Sequence, residues 1–233
     1  MATFTVTSEY DPFLHVRLSQ GESITCESNA MVMMENNLEL VGEMNGGLLN
    51  AVVRSFANDE SFFQQRITAS HGAGDCLLAP ITPGGIEILE VGATQYYISD
   101  GAFMACSSTV DMELKTQSLG AAIFGNTGGF VIARTRGEGQ VAVNGFGTIF
   151  TIEVSPDSPM TIDNGHVVAW DSRLHYEPGV STRRGGGMLG SLLNSFTGGE
   201  GVVLKFSGSG KVVLCSRNKG GFINWLKSFI NSN

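Results

Sequence analysis

The chain lacks almost every short signature that announces chemistry. It holds four histidines in 233 residues, His15, His71, His166 and His175, and no two stand at an HxH or HxxxH spacing. No GxSxG, HExxH or cysteine-protease motif occurs, so the hydrolase elbow and the zinc-helix peptidases are excluded on local pattern. The four cysteines, Cys26, Cys76, Cys106 and Cys215, are far apart, form no CxxC and sit inside apolar runs. Reduced core thiols of a cytosolic protein are the expectation, with a disulfide or metal set as the alternative. No run of eighteen uncharged apolar residues appears, so no transmembrane helix is expected. The first residues, MATFTVTSEYDPFLHV, have neither a basic n-region nor an apolar h-region, so a signal peptide is not indicated.

What is present is material for a core. Apolar residues make up 42% and charged residues 15%, which sets general disorder aside. A chain of this length forms one or two domains, and all-β bodies of this size are ordinary. The 31 glycines have no collagen-like period and fall between short Val, Ile, Phe and Thr runs, the punctuation of many strands.

The chain also repeats itself, and a period of this kind governs the fold. GGLLNAVVRSFANDESFF (46–63) lies over GGMLGSLLNSFTGGEGVV (186–203) without a gap. A shorter third copy runs from Gly120 into Gly128-Gly129-Phe130. Each copy leads into a Gly-x-Gly, at Gly72/Gly74, Gly137/Gly139 and Gly208/Gly210. GIEILEV (85–91) then matches TIFTIEV (148–154), and YISDGAFMAC (97–106) matches TIDNGHVVAW (161–170). The expected architecture is one β-rich domain over 1–218 in three units (about 1–91, 92–154 and 155–218), followed by a C-terminal amphipathic helix over 219–233.

Two insert segments break the strand pattern. Leu48, Leu49, Val52, Val53 and Phe56 recur at helical spacing, as do Met188, Leu189, Leu192, Leu193 and Phe196 in the later copy. Each short helix either caps the open end of a sandwich or offers its apolar face to a subunit, a partner or lipid. In the tail, Phe222, Ile223, Leu226, Phe229 and Ile230 form one helical face with Trp225 beside it, and Lys219 and Lys227 are the charges. Such a helix docks on its own domain or subunit, or lies on a membrane.

Several tempting sites fail on inspection. GSGKVVL lacks the Gly-x-x-x-x-Gly-Lys-Ser/Thr spacing of a phosphate loop, and its Gly-x-Gly recurs without lysine, so a structural bend is expected. A dinucleotide fingerprint fails for want of a strand-turn-helix context. The methionines at 31, 33 and 34 read as core filling, since a soft-metal site wants His or Cys beside them. Asp163, His166, Asp171 and His175 lie close in sequence, but on strands the Asp171–His175 pair would stand about 13 Å apart. No metal, cofactor or catalytic group is expected.

Net charge is −8, unevenly spread. Residues 1–100 carry three basic against thirteen acidic residues, residues 101–171 carry three against seven, and residues 172–233 carry eight against two. The acidic beginning and basic end suit head-to-tail association of like chains, an anionic partner, or mutual attraction of the two lobes. Arg183, Arg184, Lys205, Lys211 and Arg217 have few aromatics among them, so nucleic acid is disfavoured.

The threefold arrangement, the paired GGLLN and GGMLG inserts, PGGIEIL (83–89) and the DGAFMA turn (100–105) together resemble the mitochondrial-biogenesis AIM24 family over nearly the whole chain. The resemblance implies an all-β fold similar to the tryptophan RNA-binding attenuator protein and akin to the double-stranded β-helix. It also implies a mostly bacterial, soluble family with a eukaryotic branch linked to mitochondrial membrane organisation. It brings no catalytic residues, and fold alone does not fix function. The functional expectation is a cytoplasmic, non-enzymatic scaffold or interaction protein, a homo-oligomer associating through its inserts and tail, with a protein partner or membrane surface as further contacts. The rival is a small-molecule- or metal-binding barrel of cupin type, with or without enzymatic activity, which needs a histidine cluster on facing strands.

Overall fold

The computed structural model describes residues 1–8, 10–43, 64–117, 130–180 and 202–230. Among these the elements are β-strands, one 3-10 turn and one α-helix, so the all-β expectation holds. Alternation produces the strands: in Leu14–Leu18 the apolar residues Leu14, Val16 and Leu18 are buried while His15 and Arg17 point away from the core, the period of two that a half-buried strand requires.

After β1 (Thr3–Val6) the strands fall into three blocks of six. The first is β2 (Leu14–Leu18), β3 (Ser23–Glu27), β4 (Met31–Met34), β5 (Glu39–Glu43), β6 (Gln64–Thr68) and β7 (Gly74–Leu78). The second is β8 (Ile86–Val91), β9 (Tyr96–Ser99), β10 (Phe103–Ser107), β11 (Val110–Gln117), β12 (Phe130–Gly137) and β13 (Gly139–Asn144). The third is β14 (Ile149–Val154), β15 (Met160–Asp163), β16 (Val167–Asp171), β17 (His175–Val180), β18 (Val202–Ser207) and β19 (Gly210–Cys215). In every block the sixth strand lies between the first and the third, and the fifth between the fourth and the second. Even the irregularity repeats. The third strand bulges against the sixth between Met31 and Met33, between Phe103 and Ala105, and between Val167 and Ala169, and bulges are designed features rather than defects.

Two compact units result. The first comprises Met1–Thr94, Gly101–Met112 and Thr135–Asn144. Its sheets are β1-β2-β7-β4 and β5-β6-β3-β10-β13-β8, and Leu14, Val16, Leu18 and Leu78 from one pack with Ile24, Cys26, Ile67 and Met104 from the other. The second unit comprises Gln95–Asp100, Glu113–Arg134 and Gly145–Asn233. Its sheets are β11-β12-β9-β16-β19-β14 and β15-β18-β17. Ile132, Val167, Trp170 and Val212 there meet Leu204 and Phe206, and Trp170 lies 5.2 Å from Tyr176 and 5.8 Å from Phe206, ring centre to ring centre. Each fully buried side chain of this size stabilises by about 1.5–3 kcal/mol. Pro178 falls in β17, which has β18 as its one described neighbour. An edge strand tolerates its missing N–H.

One reading changes in detail. β3 and β4 are separated by a turn in which Asn29 adopts φ of 66°. The methionines of β4 are not all core filling, since Met33 is 42% exposed while Met31 and Met34 pack partly against the core. The Gly-x-Gly bends are structural. Gly137 has φ of +97°, and a Cβ on it would meet the Thr109 carbonyl oxygen. At Gly210 an added Cβ would lie 2.8 Å from Cβ of Asp171.

Candidate interaction helix

Helix α1 (Lys219–Ile230) follows β19 after a short link, and its root is fixed by many short contacts. The Ser216 N–H donates to the Thr148 carbonyl at 2.9 Å and the Arg217 N–H to the Phe146 carbonyl at 3.1 Å. Ser216 Oγ accepts from the Thr148 N–H at 2.9 Å, and His166 Nδ1 lies 2.8 Å from the Cys215 carbonyl oxygen. Asn218 is the N-cap. Its Oδ1 accepts from the Gly221 N–H at 2.9 Å and its carbonyl from the Phe222 N–H at 3.0 Å, the role for which asparagine is among the preferred residues. Gly165 packs so closely on the Asn218 amide that no side chain fits between them.

Beyond this root the helix buries none of its residues. Phe222, Trp225, Leu226 and Phe229, the tail residues singled out by periodicity, are all exposed, as are Ile223 and Ile230. Their rings form a ladder: Phe146 to Phe222 at 5.2 Å, Phe222 to Trp225 at 5.8 Å and Trp225 to Phe229 at 5.0 Å. The Arg217 guanidinium lies 5.8 Å from the centre of the Phe146 ring. Phe146 is the part that sequence reasoning missed, because only the fold carries it from before β14 to the helix root. Twelve residues span about 18 Å, and no described helix is long and apolar enough to cross a membrane.

The insert residues Leu48, Leu49, Val52, Val53, Phe56, Met188, Leu189, Leu192, Leu193 and Phe196 lie outside the described residues. The acid and histidine cluster of the third unit does not converge. Asp163 Oδ1 accepts from the Gly165 N–H, Asp171 is held by the Arg173 backbone N–H and guanidinium, and His175 pairs with Glu177 at 3.1 Å. Among the described residues no three His, Cys, Asp or Glu side chains are grouped to hold a metal ion. The four cysteines are free, and burial pushes the Cys26, Cys76 and Cys106 thiols up to about 12, where the nucleophilic thiolate is scarce.

A family model described as mitochondrial biogenesis AIM24 matches residues 4–217. The chain belongs to the AIM24 family. An uncharacterized protein of Streptococcus pyogenes serotype M6 is 35% identical over 225 residues, spanning 94% of this chain and 87% of the relative. A crystal structure of a Streptococcus pyogenes protein is similar with a TM-score of 0.79 and 33% identity, covering 98% of this chain and all of that one. The AIM24 match ends at residue 217, and α1 begins at Lys219.

Proposed function

We propose that this AIM24-family chain is a non-enzymatic assembly module, a β scaffold acting in the cytoplasm that associates with copies of itself through the apolar face of α1, with the two insert segments as further contacts. The observation that carries this reading is the exposure of Phe222, Trp225, Leu226 and Phe229 on a helix whose root is fixed. A helix of this length is marginal on its own in water, and Gly220 and Gly221 each cost it about 1 kcal/mol relative to alanine. Burial of the apolar face supplies what propensity withholds.

The test is solution mass by light scattering for the whole chain and for a version ending at Asn218. Because neither core cluster includes a residue of α1, its removal leaves both cores intact, which far-UV circular dichroism checks. An oligomer that dissociates on truncation supports the reading. If both forms are monomers, self-association through α1 is wrong, and a blue shift of Trp225 emission on anionic vesicles would assign the face to a membrane surface instead.

A further inference from the structure

The three blocks are joined by one rule, and the rule leaves two strands without the neighbour it would give them. The second strand of block one pairs with the third strand of block two: Ala105 faces Cys26, Cys106 faces Thr25 and Ser107 faces Ile24. The second strand of block two pairs in the same way with the third strand of block three: Ala169 faces Ile98, Trp170 faces Tyr97 and Asp171 faces Tyr96. Among the described residues, β1 stands before block one and α1 after block three, and neither is a further block. Among the described strands, β4 therefore has β7 as its one neighbour, and β15 has β18.

Burial records the missing neighbours. The joined third strands β10 and β16 are buried at every residue. Ala105 and Ala169, just past the repeated bulge, are fully buried, and so is Met104 within it. On β4 the corresponding residues Val32 and Met33 are 53% and 42% exposed. On the other side Cys26 and Ile98 are fully buried, whereas the corresponding Ile162 is only partly so. The correspondence is fixed independently by the fifth strands, where Arg66 faces Thr25, Arg134 faces Tyr97 and Lys205 faces Thr161.

We propose that β15 of one copy pairs antiparallel with β4 of a second copy, continuing between chains the joint used twice within the chain. The register follows from the two internal joints: Ile162 opposite Met33 and Thr161 opposite Met34. An exposed apolar edge strand is an invitation to pairing that natural sheets otherwise blunt with charge or proline, and MVMM (31–34) holds neither. The acidic first hundred residues, which include β4, and the basic segment, which includes β18 beside β15 and β17 beyond it, favour this head-to-tail orientation over a symmetric one. The contact goes beyond the helix reading and does not depend on it.

The experiment uses the full chain carrying Cys215→Ser, so that the remaining native thiols are buried ones. Two single variants, Met33→Cys and Ile162→Cys, are prepared and oxidised separately and as a mixture. Facing residues of antiparallel strands stand close enough for a disulfide. A covalent dimer of two chains formed in the mixture and far less in either variant alone is the expected result. Met33→Lys should lower the light-scattering mass at equal concentration while leaving the circular dichroism spectrum unchanged. Absence of the mixed dimer overturns the proposal. So does a double variant that closes its disulfide within one chain. The helix reading fails separately: a mixed dimer that persists with unchanged mass after truncation at Asn218 sinks it, and dissociation on truncation without any mixed dimer leaves it standing alone.

Discussion

Asp75 on β7 is shared by two partners from β2. Its Oδ2 lies 3.0 Å from His15 Nε2 and its Oδ1 3.3 Å from Arg17 Nε. The Arg17 hydrogen bond, with the His15 bond and both charges adding to it, holds the Asp75 carboxyl below the usual range against a smaller effect of burial. A depressed folded pKa contributes stability that is present above the ordinary aspartate range and is lost as pH falls through the folded value. Acid denaturation followed by circular dichroism should therefore show Asp75→Asn less stable than the parent near neutrality and nearly level with it at the acid end. Gly137 makes a steric demand instead. With φ of +97° and the Thr109 carbonyl oxygen where a Cβ would stand, Gly137→Ala should cost about 1–3 kcal/mol, read as a lower urea midpoint with an unchanged slope. Thiol chemistry at this scale is decided by burial. Cys215 is the half-buried member of the four, so it should react first with a thiol reagent under native conditions.

At the scale of the element, α1 depends on its first turn. Asn218→Ala removes the cap and should cost about 1 kcal/mol of helix stability, seen as faster amide exchange at Leu226 and Phe229. Gly165→Ala should do similar harm from outside the helix, by displacing the Asn218 amide that an added Cβ would strike. The two tryptophans report on the outcome separately. Trp170 is fully buried and Trp225 is 56% exposed, so acrylamide should quench the second and spare the first in dilute protein. This face was legible in the sequence, because i, i+3, i+4 and i+7 spacing survives without tertiary help. The strands were legible for the same reason. Which strand pairs with which was not, since alternation is a local signal and the joints β3–β10 and β9–β16 link residues some 70–80 positions apart. Nor was the exposure of Met33: MVMM and FMACS read alike, and their burial differs because β10 has neighbours on both sides. The Asp163 to His175 cluster failed for the converse reason, since nearness along the chain gave each group a different partner.

At the scale of the molecule, neither compact unit is a continuous stretch of chain. The middle block gives β8, β10 and β13 to one sheet of the first unit and β9, β11 and β12 to one sheet of the second. A fragment holding residues 1–94 thus carries β3 without β10, and β8 without β13. Its core residues Ile24, Cys26 and Ile67 would then lie in a sheet reduced from six strands to β5-β6-β3, with β8 unpaired beside it. Small sheets that lose half their strands rarely recover the entropy of ordering what remains. Residues 1–94 expressed alone should accordingly lack a cooperative thermal transition and show the poor amide dispersion of an unfolded or molten chain, while the full chain unfolds cooperatively. A folded, cooperative 1–94 fragment would mean that the first block is self-sufficient and that β10 and β13 add to it rather than complete it. In that case β3 would present a free edge in the fragment, as β15 does among the described strands of the chain, and the fragment should then pair through that edge with other copies.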